Sequence, residues 1–579
     1  MNRIHDFLKE KNVLTEQYIN IGKAFDEYKD LDAIIFTKGK KNVSYGEWAK
    51  INKKITGMLI KEKIFHKERE GKNENENENK NKRQICGVYL NNSFEFINTV
   101  LLLWKFNIIP FCIPATYPIA RLKEIIKKYP FDYLITNTDL REQSQELRIL
   151  KNSPIANSLN AKSATNDKGT DKFFNDVYWI NYGDKDIKVI NEKIFYYNKE
   201  MYPKNKDFLL SSETLENISL DKEAFIMLSS SSNGSDTQKA VVHTFRSMIT
   251  SAVESIAFYD MNIESKALLS LPLYHVGGFM IFIRALLAGS KLIIPDKNSG
   301  IESAIYDHGP DFVSLVSTQF VRLVIKERLT YQLSKMKAIL IGGGPTPKWP
   351  LDWSKERNFK ISLTYGSTEM CSQVTALRAG DVYLSNYSAG KPLRGREIKV
   401  NEHKEILIKS ETLCKGFLNS EGEIISPTNI DKEGWYRTGD LGFIDDRGDL
   451  QILGRKDNIF ISGGEKIDPV LVEEKIKEMS WVADAIVVAV PHKEFGEIPW
   501  AFVETIRKVP LKKVINFLRD KLPSYMIPKS IIFLDEINEF KGLKYDRKIL
   551  KEYAKKLVSP PTKVDGSDSS SSSTIETAS

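Results

Sequence analysis

The stretch Asp431–Pro469, DKEGWYRTGDLGFIDDRGDLQILGRKDNIFISGGEKIDP, decides the fold of this chain. An acidic turn, Thr438-Gly439-Asp440, is followed by two alternating strand-like runs. Two glycine-containing segments come next, Gly454-Arg455-Lys456-Asp457 and Gly463-Gly464-Glu465-Lys466. Glycines at such points are typical of backbone that turns tightly or approaches a ligand closely. The stretch places Asp440 to bond a sugar diol and Arg455 to hold phosphate oxygens. Asp457 stands where the composition changes, which predicts a hinge there.

Length and composition limit the possible classes of protein. The 579 residues exceed one ordinary core, so two or more domains are expected. The net charge of +8 comes from 84 basic and 76 acidic residues, many of them in polar inserts. No nucleic-acid motif accompanies this charge, so it indicates solvated surface and no nucleic-acid partner.

Cysteines and apolar runs bear on the compartment. The four cysteines are few and far apart, which argues against a disulfide framework or a metal cluster and favours a reducing compartment. The N-terminal residues lack the apolar core of a signal peptide. The most apolar run, Val100–Pro114, contains Lys105 and Asn107 and is too short to span a bilayer. We therefore expect a cytoplasmic protein with no membrane span, while the oligomeric state stays open.

The alternation of strand and helix patterns predicts the fold class. A hairpin (33–35 with 42–44) and a helix over 45–60 come first, and a strand–helix alternation begins at Ile85. This alternation is typical of a layered α/β domain with a largely parallel sheet. We expect an α/β fold with a large N-terminal domain of layered sheets and helices (1–455) and a small mobile C-terminal α/β domain (456–558). Three polar segments are expected to be disordered: inserts near 66–82 and 141–175, and a Ser-rich tail over 559–579.

A serine-rich loop follows an apolar strand in Ala224–Thr250, AFIMLSSSSNGSDTQKAVVHTFRSMIT. Small residues let backbone N–H groups and hydroxyls surround a polyphosphate, and Lys239 adds a mobile positive charge. The alternative is an ordinary Ser-rich linker. The strand-then-loop context favours phosphate binding, with these ATP-binding candidates: Ser229, Ser230, Ser232, Gly234 and Lys239.

Two further segments carry candidate pocket residues. In SLPLYHVGGFMIFIRALLAG (270–289), His275 ends an apolar strand and precedes two glycines that open a helix. A histidine in this setting is more often structural than catalytic. Arg284 lies in an apolar helical run, so it needs an anionic partner if it points inward and none if it lies on the exposed face. Gly343, within a run of three glycines, suits close approach to a planar base or an acyl group, or is part of a simple tight turn.

The segment TYGSTEMCSQV (364–374) places an aromatic ring, a hydroxyl and a carboxylate close together in the sequence. Tyr365 is a candidate to stack on adenine, Thr368 to bond a phosphate, and Glu369 to hold Mg²⁺ bound to ATP.

Together these motifs resemble those of the adenylate-forming enzymes, the superfamily of acyl-CoA ligases, luciferases and peptide-synthetase adenylation domains. YGSTE matches that family's Y-G-x-T-E. The Ser-rich loop departs from T-S-G-[ST]-T-G-x-P-K, with Ser231 for a glycine, Gln238 for the proline and two added residues. The family's ending, P-x-T-x-x-G-K-[IV]-x-R-x-x-L, is incomplete here. Aligning Arg547 and Leu550 places Lys544 at its catalytic lysine.

The resemblance implies roles that the residues alone do not. His275 would line the acyl pocket and act in catalysis with Lys544, Thr368 and Glu369. Gly343 would contact both nucleotide and acid, and the CoA-binding residues would be Gly463, Gly464 and Lys466. The implied activity is ATP-dependent ligation of a small carboxylic acid to CoA through an acyl-adenylate, with Mg²⁺, ATP and CoA required.

Several phrases, including KAVVHT and ISGGEKIDP, are similar to the o-succinylbenzoate–CoA ligases of menaquinone synthesis. That similarity favours an inward Arg284 that binds the acid's second carboxylate. Two alternatives stay open: another acyl- or aryl-CoA ligase, and a non-catalytic adenylate-binding relative.

Overall fold

The structure is a computed structural model. It describes residues 9–10, 14–15, 17–36, 42–61, 83–136, 177–183, 194–198, 218–229, 238–296, 300–383, 386–534 and 547–558. Several predicted features lie outside the described residues: the two inserts, the Ser-rich tail, Ser230, Ser232, Gly234 and Lys544.

The described strands follow the apolar, β-branched runs of the sequence. In chain order they are β1 (Tyr18–Ile19), β2 (Asp32–Phe36), β3 (Val43–Ser44), β4 (Gln84–Tyr89), β5 (Ile108–Cys112), β6 (Tyr133–Thr136), β7 (Val177–Gly183), β8 (Ile194–Asn198), β9 (Ile218–Ser219), β10 (Glu223–Leu228), β11 (Ala240–Thr244), β12 (Lys266–Leu268), β13 (Lys291–Ile294), β14 (Phe312–Val316), β15 (Ala338–Gly342), β16 (Ile361–Ser367), β17 (Ser372–Ala376), β18 (Lys391–Pro392), β19 (Arg396–Val400), β20 (Glu405–Ser410), β21 (Gly416–Leu418), β22 (Ile424–Ile425), β23 (Tyr436–Ile444), β24 (Leu450–Arg455), β25 (Phe460–Ser462), β26 (Glu465–Ile467), β27 (Val482–His492), β28 (Gly496–Thr505) and β29 (Ser530–Phe533).

The described helices alternate with these strands. They are α1 (Ile21–Glu27), α2 (Tyr45–Lys61), α3 (Phe94–Lys105), α4 (Ile119–Lys128), α5 (Phe245–Tyr259), α6 (Val276–Ala288), α7 (Gly300–His308), α8 (Ser317–Val324), α9 (Thr330–Lys335), α10 (Lys348–Lys355), α11 (Pro469–Lys477), α12 (Leu511–Arg519) and α13 (Arg547–Val558).

Two large sheets form the N-terminal region. Among the described strands, one sheet has the order β22-β21-β11-β10-β5-β4-β6-β7-β8 and the other β18-β17-β16-β15-β14-β12-β13-β2-β3. Neighbouring strands from β10 to β8 in the first sheet, and from β16 to β2 in the second, are parallel. The predicted α/β class with a largely parallel sheet is therefore confirmed.

One hydrophobic core joins the two sheets. It contains side chains from β4 and β10 of the first sheet, from β13 and β15 of the second, and from α3, α5 and α6. These helices lie between two apolar surfaces, which explains why α3 and α6 are apolar on nearly every face. Further cores pack α4 on the outer face of the first sheet and α8 on the outer face of the second. The result is a layered arrangement in which the loops at strand ends are free to form a site.

The quoted stretch forms the transition between the two regions. β23 and β24 pair as an antiparallel hairpin and complete a four-stranded sheet in the order β19-β20-β23-β24. After Arg455 a short 3₁₀ turn, Lys456–Asn458, leads to β25, which belongs to a separate sheet with β26, β27, β28 and β29. Helices α11 and α12 pack on this sheet in a core of their own. The smaller C-terminal α/β domain is thus confirmed, whereas the boundary at residue 455 stays a prediction.

The two regions contact each other in this structure. Trp349 Nε1 donates to the carbonyl oxygen of Val482 at 3.3 Å. Arg322 on α8 pairs with Glu504 on β28, with Nε of the arginine 3.0 Å from Oε1 of the glutamate. A third contact is electrostatic, between Lys348 and Glu474.

One local detail corrects the sequence analysis. The strand before His275 is only Lys266–Leu268, so His275 does not end it but follows a turn and immediately precedes α6, without a capping hydrogen bond from its side chain. The turn is tight because α6 begins against it. A Cβ atom added at Gly278 would lie 2.1 Å from the carbonyl oxygen of Pro272, whereas one added at Gly277 would meet only the end of the Leu271 side chain at 3.2 Å.

These adjacent glycines offer a matched test of the packing at the start of α6. Gly278→Ala should destabilise the protein by at least about 1–3 kcal/mol, because the methyl group would overlap rigid backbone. Gly277→Ala should be neutral or slightly stabilising, because alanine favours helix and a leucine side chain can move. Thermal melting of the two variants beside the unmutated protein measures both effects. Equal melting temperatures for the two variants would contradict this packing.

Candidate active site

The site begins with three side chains from separate parts of the chain. Tyr365 lies on β16, and Asp440 and Arg455 are cross-strand partners on β23 and β24. The hydroxyl of Tyr365 donates to Oδ2 of Asp440 at 2.6 Å. Nη1 of Arg455 donates to Oδ1 of the same carboxylate at 2.9 Å. The structure thus brings together three of the residues that the sequence predicted to bind a nucleotide.

Electrostatics keep this cluster in one protonation state. Burial, with Asp440 adding to it, raises the pKa of Tyr365 well above its ordinary value, so the phenol stays protonated and donates. Burial acts to lower the pKa of Arg455, but Asp440 and Asp457 outweigh it and raise that pKa. Nε of Arg455 is buried with no hydrogen-bond partner among the described residues. A donor in that position suits an arginine whose contacts change when an anionic ligand binds.

Glu405, which the sequence analysis missed, supports the part of the cluster next to Lys456 and Asp457. Its buried carboxylate accepts from the backbone N–H of Gly439 at 3.2 Å and from Nζ of Lys456 at 2.8 Å. Asp457, the predicted hinge residue, follows Lys456 in the sequence, and its Oδ2 lies 3.4 Å from Nη2 of Arg455. One carboxylate therefore ties the acidic turn to the first residue after β24.

The predicted phosphate-binding and magnesium-binding residues converge near Cys414. Ser229 follows β10, and its N–H donates to the carbonyl oxygen of Lys239 at 2.9 Å. Nζ of Lys239 lies 4.7 Å from the ring centre of Phe417. The backbone of Glu369 accepts from the N–H of Cys414 at 2.7 Å. Burial and then Glu369 raise the pKa of the Cys414 thiol, while Lys239 acts in the opposite direction.

His243 links β11 to the Thr368 loop and was also missed. Its Nε2 lies 2.7 Å from the carbonyl oxygen of Thr368, and its Nδ1 lies 3.0 Å from the hydroxyl of Ser247. Because a carbonyl oxygen only accepts, Nε2 must carry the proton. Burial lowers the pKa of His243 to about 4, although the bond to Thr368 acts to raise it. A neutral histidine therefore positions the backbone beside the predicted phosphate ligand and magnesium ligand.

The glycine run lies at the end of β15. Gly343 adopts φ +85°, and a Cβ atom there would meet only Val316, at 3.5 Å. A Cβ atom on Gly344 would meet nothing within 4 Å. Both residues are exposed, so the backbone offers open space of the kind that the sequence predicted for a base or an acyl group.

Two of the three predicted acid-binding residues lie at the start of α6 and within it. His275 is exposed at its start, with its ring centre 4.9 Å from that of Tyr274. Arg284 is buried, at 5% exposure, and its Nη1 donates to Oε1 of Gln373 at 3.4 Å. The inward orientation favoured by the sequence analysis is therefore the one observed. Helical periodicity left that choice open because α6 is apolar on nearly all sides.

The predicted CoA-binding residues lie in the small region. Gly463 and Gly464 adopt φ +57° and +91° and form the two-residue turn between β25 and β26, with Lys466 exposed on β26. Gly463 donates its N–H to the carbonyl oxygen of Phe495 at 2.9 Å. The contacts described for this hairpin are thus made within the small region and not with the Tyr365–Asp440–Arg455 cluster.

Comparison with known protein families identifies the family of this chain. The AMP-binding enzyme family matches residues 77–423, and the AMP-binding enzyme C-terminal domain matches residues 471–540. This chain belongs to the AMP-binding enzyme family. The first match spans more than half of the chain and includes the Tyr365 and Glu369 segment, and the second lies within the small region that follows Asp457.

Individual relatives support the same assignment. The chain is 33% identical to the 2-succinylbenzoate–CoA ligase of Bacillus pumilus over 343 residues, which cover 57% of this chain and 69% of that protein. Its fold is similar to o-succinylbenzoate CoA synthetase (MenE) of Bacillus subtilis in complex with the acyl-adenylate intermediate OSB-AMP. The TM-score is 0.67 at 22% identity, covering 93% of this chain and 99% of that one. The same enzyme in complex with ATP and magnesium ion gives a TM-score of 0.66 at 22% identity, covering 89% and 96%.

The helices, the potential metal ligands and the cysteines bear on other functions. Among the described helices, none combines the length and the apolarity of a membrane-spanning segment. Within the described ranges, no three His, Cys, Asp or Glu side chains cluster closely enough to form a metal site by themselves. All four cysteines are buried and unpaired.

The buried His243 predicts a specific loss of stability in acid. The ordinary pKa of histidine is about 6.5, so between that value and about 4 the unfolded chain binds a proton that the folded protein does not. Stability should therefore fall as the pH decreases through this window, by on the order of 3 kcal/mol from this group. Urea unfolding at pH 7 and at pH 4 measures the loss.

The matched control is His243→Gln, which keeps an N–H donor but does not titrate. The unmutated protein should lose more stability between the two pH values than this variant does. Equal losses would show that His243 does not determine the acid sensitivity.

Proposed function

We propose that this protein is an AMP-forming acid–CoA ligase that converts 2-succinylbenzoate to its CoA thioester through an acyl-adenylate. The observation that carries the proposal is the pairing of two sites. The Tyr365–Asp440–Arg455 cluster suits a nucleotide, and the buried Arg284 suits an acid with a second carboxylate. The B. pumilus relative, 33% identical, is named for this acid.

In the first half-reaction a carboxylate oxygen attacks the α-phosphorus of ATP, and pyrophosphate leaves. The Asp440 carboxylate would accept hydrogen bonds from the ribose hydroxyls, since an ionised carboxylate has more lone pairs than Tyr365 and Arg455 use. The Tyr365 ring would stack on adenine, with Gly343 near the base and the acid. Arg455, Lys239, Thr368 and the Ser-rich loop with Ser229 would face the phosphates. Such catalysis is mainly positioning and charge stabilisation, because the reacting carboxylate is already nucleophilic.

Magnesium would enter bound to ATP. Glu369 directly follows Thr368 in the loop between β16 and β17. A single carboxylate suits a magnesium ion whose other ligands are phosphate oxygens and water molecules. When bound, the ion neutralises charge on the phosphates. The chain's own part is to hold Glu369 in place, through the bond from Cys414 and the support of His243 beneath Thr368.

In the second half-reaction the CoA thiol attacks the acyl carbon, and AMP leaves. We propose that the small domain turns about Asp457 between the steps and brings Gly463, Gly464 and Lys466 toward CoA. The support is local. Arg455 ends β24, a 3₁₀ turn follows it, and the next strand belongs to a different sheet. His275, exposed at the start of α6, would line the path of the acid.

An acid panel tests the substrate. We expect ATP-dependent pyrophosphate release and CoA thioester formation with 2-succinylbenzoate. The value of kcat/KM should exceed that for 4-oxo-4-phenylbutanoate, which lacks the ring carboxylate, by tenfold or more. That factor matches a charged hydrogen bond worth about 1.5–3 kcal/mol. Arg284→Ala should remove most of this preference.

The contrary results are distinct. No pyrophosphate release with any acid would favour a non-catalytic relative, and faster turnover of an unrelated acid would replace the substrate. If Arg284→Ala reduces activity equally on both acids, the arginine is structural and does not recognise the ring carboxylate.

The predicted role of Lys544 can be tested by measuring the two half-reactions separately. An ammonium can bond both the attacking carboxylate and a phosphate oxygen, so Lys544→Ala should slow adenylation by at least about 10²-fold, the scale of one lost transition-state contact. Thioester formation from supplied acyl-adenylate should slow far less. Pyrophosphate release and thioester formation, each measured alone, give the two rates. Near-normal adenylation in the variant would show that the catalytic lysine is another residue.

A further inference from the structure

The buried Arg284 has an uncharged partner. Its guanidinium donates to the side-chain amide of Gln373, which lies on β17 at 5% exposure. We propose that Gln373 is the positioning and specificity-determining residue for the second carboxylate of the acid. It aligns the Arg284 guanidinium without neutralising it. This inference rests on the proposed function, because it assumes that Arg284 binds a carboxylate of the substrate.

Hydrogen-bond directions fix the orientation of the Gln373 amide. The hydroxyl of Ser362 donates to the carbonyl oxygen of Leu377 at 2.6 Å, so the hydroxyl of Tyr259, 2.9 Å away, must donate to Ser362. Tyr259 can then only accept from Gln373, whose Nε2 lies 3.1 Å from its hydroxyl. Oε1 must therefore face the other way, toward Arg284.

Ser255 completes this arrangement. Its hydroxyl donates to Oε1 of Gln373 at 2.8 Å, so the oxygen accepts from both Ser255 and Arg284. Burial raises the pKa of Tyr259, which keeps the phenol protonated throughout. The amide is held from both ends, and the guanidinium is thereby held in one place.

The same directions explain why glutamine suits this position and glutamate does not. A carboxylate would present an oxygen to Tyr259, whose single hydrogen is already used on Ser362. It would also pair with the guanidinium and cancel its charge. Among the described residues, no carboxylate pairs with Arg284, so its positive charge is uncompensated in the core. Burial lowers the pKa of Arg284 to about 10, which still leaves it charged at neutral pH.

An uncompensated buried cation is costly unless an anion or dipoles approach it. A cavity of about 10 Å³ is lined in part by Arg284. It is lined by Tyr259, Ile281, Phe312, Ser314 and Leu340 as well as by Arg284. That volume holds roughly one water molecule. The ends of β14 and β15 reach from this cavity toward the exposed glycines at 343 and 344, where the acid is proposed to bind.

The experiment measures one ratio, kcat/KM for 2-succinylbenzoate over kcat/KM for 4-oxo-4-phenylbutanoate, in four variants beside the unmutated protein. Gln373→Glu adds the neutralising charge, and we expect the ratio to fall tenfold or more, mainly through a higher KM for the dicarboxylate. Gln373→Met removes the acceptor and adds no charge, so its ratio should lie between those of the unmutated protein and Gln373→Glu. It also serves if Gln373→Glu does not fold. Arg284→Ala sets the floor.

Gln319→Glu is the matched control. This glutamine is similarly buried, at 7% exposure, but its amide bonds the backbone of Ser270 and Val316, and no cation among the described residues is its partner. Its ratio should equal that of the unmutated protein. If the unmutated protein does not convert 2-succinylbenzoate, the proposed function itself is overturned. A normal ratio in Gln373→Glu together with a lost ratio in Arg284→Ala would overturn the role of Gln373 alone, as would a lower ratio in Gln373→Met than in Gln373→Glu.

Discussion

The carboxylate of Asp440 is the interaction on which the site depends. It is largely buried, at 15% side-chain exposure, and accepts one hydrogen bond from a protonated tyrosine and one from a charged arginine. Tyr365 comes from the parallel sheet and Arg455 from the last strand before the small domain. One anion thus joins the large sheet, the four-stranded sheet and the segment that leads to the small domain. Removing it would deprive the partly buried Tyr365 hydroxyl and the partly buried Arg455 guanidinium of this shared acceptor, and would leave Arg455 with Thr438 and Asp457 as partners.

A second principle organises α6 and the proposed acid site. α6 runs between two apolar sheets, so every polar group that it carries inward must be satisfied by a specific partner. Arg284 is the charged residue of that helix, and its partner is a neutral amide. The Asp440 carboxylate is paired with the charged Arg455, whereas the Arg284 guanidinium is bonded to an amide and has no carboxylate partner among the described residues. The contrast suits the proposed ligands, since a nucleotide brings hydroxyls to Asp440 and a dicarboxylate brings an anion to Arg284.

Much of the fold could be predicted from the sequence because its elements are local. Helix 45–60 is observed as Tyr45–Lys61, and the strands around Ile85 and Ile108 begin within one residue of their apolar runs. The glycine turns were also predictable, since Gly463 and Gly464 both need a left-handed backbone. The strand before His275 was predicted too long, because an apolar run in a turn looks like the continuation of a strand.

The missed residues share a different cause. The contacts that matter join residues distant in sequence, and hydrophobic periodicity does not predict such contacts. This holds for His243, Gln373 and Glu405. Each is an ordinary polar residue in a strand, where the default expectation is a satisfied structural group. His243 lies within KAVVHT and Gln373 within TYGSTEMCSQV, and that position was the available signal; Glu405 is distant in the sequence from the acidic turn that it contacts. That signal marks a neighbourhood and does not identify a partner.

The most direct measurement is a crystal structure of the protein bound to a non-hydrolysable acyl-adenylate analogue of 2-succinylbenzoate. The account predicts ribose hydroxyls at hydrogen-bond distance, about 2.7–2.8 Å, from the Asp440 carboxylate. It also predicts that the ring carboxylate faces Arg284, directly or through one water, with Gln373 still bonded to the guanidinium. A ribose bound away from Asp440, or a ring carboxylate that points away from Arg284, would contradict the account.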